Sequence, residues 1–302
     1  MIASLYFYKL EIFDEKTHDR VKFNDKKLPK DVRQLFLNFE EFVSKNPLQT
    51  EERSVRFTPN IPGGTDRLTT KFISGVVSYG QKGLASEIYN EKGELLFNRG
   101  VDHLETFPLL YSFWVDLDSS AAFIMHQAYQ QRSCVSVINS NLRSYIQENL
   151  EGYQVSISVL SAASDELFEK MEIKNVSFYS SSKSNNADIA RKLLGDEIGP
   201  ANIEIVVKAR KSKKLGFYKD IERVLPKDSL VSIGEDNFDR AVATVIINGK
   251  SRKVGLWNAS RNFGNIDITE DVDVDENSVP IPYSVEKAAI EILKSLHADW
   301  GM

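Results

Sequence analysis

The chain of 302 residues has a single cysteine, Cys134, so it forms no internal disulfide and offers no cysteine cluster for a structural zinc. That thiol usage predicts a reducing, cytoplasmic setting. Histidine is scarce as well: His18, His103, His126 and His297 lie far apart, and none stands at metal-ligand spacing from another. Long apolar runs are missing. The opening Met1-Ile-Ala-Ser-Leu-Tyr-Phe-Tyr is followed at once by Lys9 and Glu11, too short and too soon charged for a signal peptide or a membrane span. A soluble protein with no membrane partner is expected. Positive charge is not in excess: 38 Lys plus Arg stand against 43 Asp plus Glu, a net −5. This argues against a generically basic nucleic-acid coat but leaves a local basic patch open. The catalytic signatures with readable spacing are absent too: no P-loop, no Gly-x-Gly-x-x-Gly, no Gly-x-Ser-x-Gly elbow, no His-Glu-x-x-His and no kinase set. What is present in ordinary measure is core, with 42% hydrophobic and 27% charged residues, enough for one large domain or two intimate ones.

The pattern along the chain predicts an α+β protein. Residues 3–13 alternate as a strand, with Leu5, Phe7, Lys9, Glu11 and Phe13 on one face and the wholly apolar or aromatic Tyr6, Tyr8, Leu10 and Ile12 on the other. Residues 31–45 place Val32, Leu35, Phe36, Phe39, Phe42 and Val43 at helical spacing between Pro29 and Asn46-Pro47, an amphipathic helix with readable ends. Short β-rich runs follow at 54–58, 68–79, 84–89, 95–97, 106–116 and 121–129, and an antiparallel meander is the simplest arrangement. Turn chemistry separates them, including Gly80-Gln-Lys-Gly83 and the hairpin loop Asn90-Glu-Lys-Gly93.

Helices and strands alternate from residue 135: helices at 137–150, 164–171, 186–194 and 217–225, strands at 154–160, 173–180 and 203–209. A closing hairpin at 240–257 with Asn248-Gly249 at its turn, a strand at 265–269 and a helix at 284–296 complete the chain. The expected organisation is an antiparallel β-rich domain over 1–132 with one early helix, then a mixed α/β-like domain over 133–302.

The clearest charge feature is Lys208-Ala-Arg-Lys-Ser-Lys-Lys, which supplies Lys208, Arg210, Lys211, Lys213 and Lys214. Residues 201–261 hold 13 Lys plus Arg against 7 Asp plus Glu. Strands at 203–209 and 240–257 can bring this run beside Arg252, Lys253 and Arg261, and clustered cations suit a polyanion because binding releases its counterions. Trp257, Phe263, Phe217 and Tyr218 are aromatics near in sequence that would stack on bases if exposed. The competing view is a solvated turn over core aromatics. Residues 262–302 carry the opposite sign, 2 Lys plus Arg against 9 Asp plus Glu. Docking of that acidic block on the basic one, in cis or from a second copy, is the basis for expecting a homo-oligomer.

Within the acidic block, Asp271-Val-Asp-Val-Asp-Glu-Asn fails as a calcium loop, since Glu276 stands where glycine is required and Pro282 where the bidentate glutamate is required. The alternation of its carboxylates with Ile266, Ile268, Val272 and Val274 fits a strand. A divergent nuclease or other hydrolase would have to use Glu204 and Lys208, four apart on one strand face, with Asp196 or Glu197 nearby. A thiol triad would have to combine Cys134, His126 and Asp116 or Asp118. No cofactor is expected for the binding reading, and no metal site is read from the sequence.

Two stretches, Gly75-Val-Val-Ser-Tyr-Gly-Gln-Lys-Gly with Phe107-Pro108, and Ala243-Thr-Val-Ile-Ile-Asn-Gly-Lys-Ser-Arg-Lys-Val-Gly-Leu with Asp267-Ile-Thr, resemble bacterial anti-phage and abortive-infection accessory proteins. The resemblance implies a defence setting and a protein partner encoded nearby, and it carries no site. The function expected is non-enzymatic binding of nucleic acid or an acidic protein. The alternatives are a metal-dependent nuclease or other hydrolase, and a self-assembling structural subunit.

Overall fold

A computed structural model describes residues 3–59, 61–62, 64, 66, 70–83, 85–130, 132–160, 171–180, 203–211, 213–224, 231–233, 236–238, 240–247, 250–257 and 265–296. Its elements give an α+β architecture. The chain divides into two compact units, one made of Met1–Ser158 with Thr269–Lys287, the other of Val159–Ile268 with Ala288–Met302.

The first unit is built on an antiparallel meander. Its strands are β1 (Ala3–Asp14), β2 (Leu48–Gln49), β3 (Arg53–Pro59), β4 (Phe72–Lys82), the hairpin β5 (Ser86–Tyr89) and β6 (Leu95–Arg99), then β7 (Leu104–Trp114), β8 (Ala121–Tyr129) and β9 (Tyr153–Val159). The order across the sheet is β1-β8-β7-β4-β3-β2, with β9 also on β1 and β5–β6 standing apart. The meander follows from short apolar runs joined by tight turns, where neighbours in sequence become neighbours in the sheet.

Both faces of β1 are covered, which departs from the simple alternation: Leu5 and Phe7 on one face and Leu10 and Ile12 on the other are fully buried, while Tyr6 and Tyr8 are half-buried. Lys9 and Glu11 are tolerated inside because they pair at 3.3 Å, and Arg20 meets Glu11 at 2.8 Å. Helix α1 (Val32–Lys45) starts where Asp31 accepts from the Gln34 N–H at 2.9 Å, and it buries Val32, Leu35, Phe36, Phe39 and Val43. Phe42 is the exception on the predicted apolar face. It is 45% exposed and stacks on Tyr145 of α2 (Val135–Asn149) instead.

Glycine in β4 serves packing rather than turning. Gly80 pairs with Ser54 on one side and Thr106 on the other, so the strand continues to Lys82 where a turn over 80–83 is expected. At Gly75 an added methyl would overlap the Tyr111 hydroxyl and lie 2.7 Å from the Thr58 carbonyl oxygen. That hydroxyl donates to the buried Glu40 carboxylate, so it cannot simply swing aside. Gly75→Ala is therefore expected to cost about 1–3 kcal/mol by overpacking, read as a lower urea midpoint in equilibrium unfolding. The Asn90–Gly93 loop does form the hairpin turn, with Gly93 at φ +79°.

The second unit is also antiparallel in its pairings. Its main sheet has the order β11 (Ile203–Lys208), β10 (Glu172–Ser180), β15 (Arg240–Ile247), β16 (Lys250–Trp257), and β12 (Gly216–Phe217) pairs with β10. Strands β13 (Val231–Ile233) and β14 (Asp236–Phe238) form a small hairpin, helix α3 spans Tyr218–Val224, and β17 (Asn265–Asp267) follows β16. The expected helices at 164–171 and 186–194, apart from Met171, and the Asn248-Gly249 turn lie outside the described residues. The last described element is helix α4 (Pro282–Leu296), whose Glu286, in the part that belongs to the first unit, accepts from the Ser74 hydroxyl of β4 in the same unit.

The acidic stretch expected to be a strand is a turn. Asp275 Oδ1 accepts from the N–H groups of Asn277 at 2.9 Å and Val279 at 2.8 Å, and the local hydrogen bonds of that aspartate outcompete β pairing. Only an isolated bridge joins Val274 to Pro280. Among the described residues, no helix is long and apolar enough to cross a membrane.

Candidate nucleic-acid interface

The register of the second unit's sheet sorts its side chains into two faces, because directly opposite residues in an antiparallel pair share a face and successive residues alternate. One face carries Ile205, Phe178 and Ala241 in a row, with Ala243 and Val254 beyond them, and Phe178 packs edge-on against Phe238. Its centre, Phe178, Ala241, Ala243 and Val254, is buried.

The other face is polar and bears the charges. Its first row runs Glu204, Tyr179, Arg240. The second runs Val206, Ser177, Val242, Gly255, and the third runs Lys208, Asn175, Thr244, Lys253. Lys208, Glu204, Arg240 and Lys253 are exposed, whereas Asn175, Tyr179, Val242 and Thr244 are half-buried between them. Strand spacing puts Lys208 and Lys253 roughly 14 Å apart at the two ends of the third row.

The charge run continues from this row. The Ala209 N–H donates to the Lys174 carbonyl at 2.8 Å, and the Lys213 N–H donates to the Arg210 carbonyl at 2.9 Å, so Arg210 and Lys213 close a turn at the sheet's end. Arg210, Lys211 and Lys213 are exposed on it. Two of the cations are spent locally. Lys214 meets Glu172 at 2.9 Å and lies 3.8 Å from the centroid of the Phe217 ring, and Lys174 meets the same carboxylate at 3.6 Å. Glu172 is thereby held below the usual carboxylate range, first by the Lys214 hydrogen bond and charge and then by Lys174. Among the described residues, Lys208, Arg210, Lys211, Lys213, Arg240 and Lys253 make no ion pair.

Of the residues singled out from the sequence, the structure joins Lys208 and Lys253 in one row and sets Arg210, Lys211 and Lys213 beside it. Arg252 sits one position from Lys253, opposite Val245, and so takes the other register parity; its side chain, and Arg261 entirely, lie outside the described residues. Of the four aromatics, Tyr218 is fully buried with its hydroxyl on the Gly255 carbonyl at 2.8 Å, and Phe217 is exposed beneath Lys214. Phe263 and the Trp257 side chain lie outside the described residues. Sequence reasoning passed over Tyr179 and Arg240. The alternation in Glu172-Ile-Lys-Asn-Val-Ser-Phe-Tyr-Ser already sets Tyr179 opposite in parity to Phe178, but its proximity to Arg240 needs the β10–β15 register.

The catalytic candidates gain little from the geometry. Glu204 is ionised through hydrogen bonds from the Ser177 hydroxyl and the Tyr179 phenol, then through Lys253 and Lys208, which hold its carboxyl below the usual range. Among the described residues no three His, Cys, Asp or Glu side chains are placed to share a metal ion, and Asp196 and Glu197 lie outside them.

The thiol triad is not assembled. Burial pushes the Cys134 thiol up to about 12, the His126 ring nitrogen Nε2 is 2.9 Å from Asn139 Oδ1, and Asp116 pairs with Lys71 at 2.6 Å. A shallow cleft of about 380 Å³ in the first unit is lined by Thr50, Glu52, Arg53, Ser136, Val137, Ser140 and Asn141. The Ser140 hydroxyl there donates to the Ser136 carbonyl at 2.8 Å.

The sequence matches no protein-family model and no curated protein.

Proposed function

We propose that this protein is a non-catalytic nucleic-acid-binding subunit, and that the polar face of the β11-β10-β15-β16 sheet, with the turn closed by Arg210 and Lys213, is the binding surface. The observation that carries the reading is the set of exposed cations, Lys208, Arg210, Lys211, Lys213, Arg240 and Lys253, without an ion-pairing partner among the described residues. Cations in that state are attractive partners for phosphates, since each contact releases condensed counterions without first breaking an internal salt bridge. The chain's net charge of −5 is no obstacle, because the relevant field is local and the Debye length at physiological salt is about 8 Å. The anti-phage setting rests on the sequence resemblance alone.

The test is gel filtration of the protein mixed with an oligonucleotide at low and high salt, with magnesium present and the nucleic acid recovered afterwards. Co-elution at low salt, separation at high salt and an intact oligonucleotide support a binder. Cleavage that disappears in Glu204→Gln would instead support the nuclease alternative, and no co-elution at low salt would remove nucleic acid from the account.

A further inference from the structure

We infer that the face takes single-stranded nucleic acid, with a base stacked on the guanidinium of Arg240 where it lies over the Tyr179 ring. This rests on the nucleic-acid reading above and narrows it to one form of ligand. The Arg240 guanidinium carbon is 4.5 Å from the centroid of the Tyr179 ring, and Arg240 has no ion pair with a described residue that would pull it away. Glu204 stands directly opposite Tyr179 in the β10–β11 register, on the side of the ring away from Arg240. Glu204, Tyr179 and Arg240 thus form one row in which the ring carries the cation on its Arg240 side. A guanidinium so placed offers its outer plane to a base, as aromatic and arginine planes do in single-strand recognition.

The rest of the face suits the same ligand. Its middle row, Val206, Ser177, Val242 and Gly255, is small and uncharged and puts nothing forward to enter a groove. A duplex would lie on such a plane as a cylinder and meet cations along one line only. Lys208 and Lys253 close the third row and Arg240 lies in the first, so the cations are spread in two directions. A flexible strand can follow them. A backbone along the Lys208–Lys253 row leaves the base to turn toward Arg240 in the first row. Half-buried Asn175 and Thr244, between the two lysines, supply donors and acceptors for base edges.

The test is fluorescence anisotropy on the full chain with three labelled probes of one length: oligo(dT), an abasic deoxyribose-phosphate strand and a duplex. Inorganic polyphosphate serves as an unlabelled competitor. Wild type is expected to bind oligo(dT) about tenfold tighter than the abasic strand. Arg240→Lys keeps the charge and removes the plane, so it is expected to abolish most of that difference while leaving the abasic strand within about twofold.

Equal affinity for oligo(dT) and the abasic strand, a duplex bound more tightly than oligo(dT), or an Arg240→Lys variant weakened equally toward both strands would overturn this inference while leaving the charge-based reading standing. A protein that binds none of the probes and ignores polyphosphate overturns the nucleic-acid reading itself.

Discussion

Replacing Lys208, Lys211 and Lys213 together with glutamate is expected to weaken oligonucleotide binding by about 100-fold or more at moderate salt, and to reduce the log–log salt slope by about 3. The three side chains are exposed, so the substitutions remove phosphate contacts without opening a cavity or stranding a buried partner. The loss exceeds simple neutralisation because each site then repels the phosphate it had attracted. Thermal unfolding is expected to stay close to wild type, which separates loss of the surface from loss of the fold. Lys214→Glu would be less informative, since that lysine is already engaged by Glu172 and the Phe217 ring. A triple variant that binds within about twofold of wild type would move the site away from this turn.

The second large effect is on stability. Acidification from neutral pH to about 4 is expected to remove about 3 kcal/mol through His126 alone, a buried residue of β8 whose pKa is lowered to about 4 by burial, partly offset by Asn139. The sign follows from the two states. Unfolded, the imidazole binds a proton near its ordinary value of 6.5, while in the folded protein it stays neutral down to about 4. Between those values protons accumulate on the unfolded chain only, so the contribution, complete above about 6.5, declines as pH falls and is gone below about 4.

His126→Gln retains a donor for Asn139 Oδ1, 2.9 Å from the histidine nitrogen, but cannot ionise. Urea unfolding of the two proteins between pH 7 and 5, above most carboxylate titration, is the discriminating measurement. A wild-type curve that falls more steeply than the variant's is expected. Parallel curves would show that His126 is not the group responsible.

These two effects differ in how far the sequence disclosed them. The lysine run was legible because it is local, a matter of composition over a few residues. Its union with Lys253 was not, because a one-residue slip in the β15–β16 register would exchange Lys253 for Arg252 on that face. Tyr179 and Arg240 stand 61 positions apart, and only the β10–β15 pairing makes them neighbours. The helix over 31–45 was readable from its apolar spacing between Pro29 and Asn46-Pro47, both of them local signals, and the structure adds the Asp31 cap.

Non-local competition explains the readings that changed. Gly80 carries turn chemistry, but ladders with Ser54 and Thr106 on both sides hold it extended. Asp271–Asn277 carries strand periodicity, but Asp275 captures the backbone N–H groups of Asn277 and Val279 that a ladder would need. Glu40 and Glu286 would be placed on the surface by their type. They are buried because the Tyr111 and Ser74 hydroxyls, distant in sequence, donate to them.

The most direct measurement of the central claim is the affinity of the wild-type protein for a labelled single-stranded oligonucleotide at about 50 and about 200 mM monovalent salt. Contacts from most of Lys208, Arg210, Lys211, Lys213, Arg240 and Lys253 give a predicted loss of about 100-fold between those two conditions. Binding that is absent at the lower salt, or that is unchanged at the higher, would contradict the assignment of this face to nucleic acid.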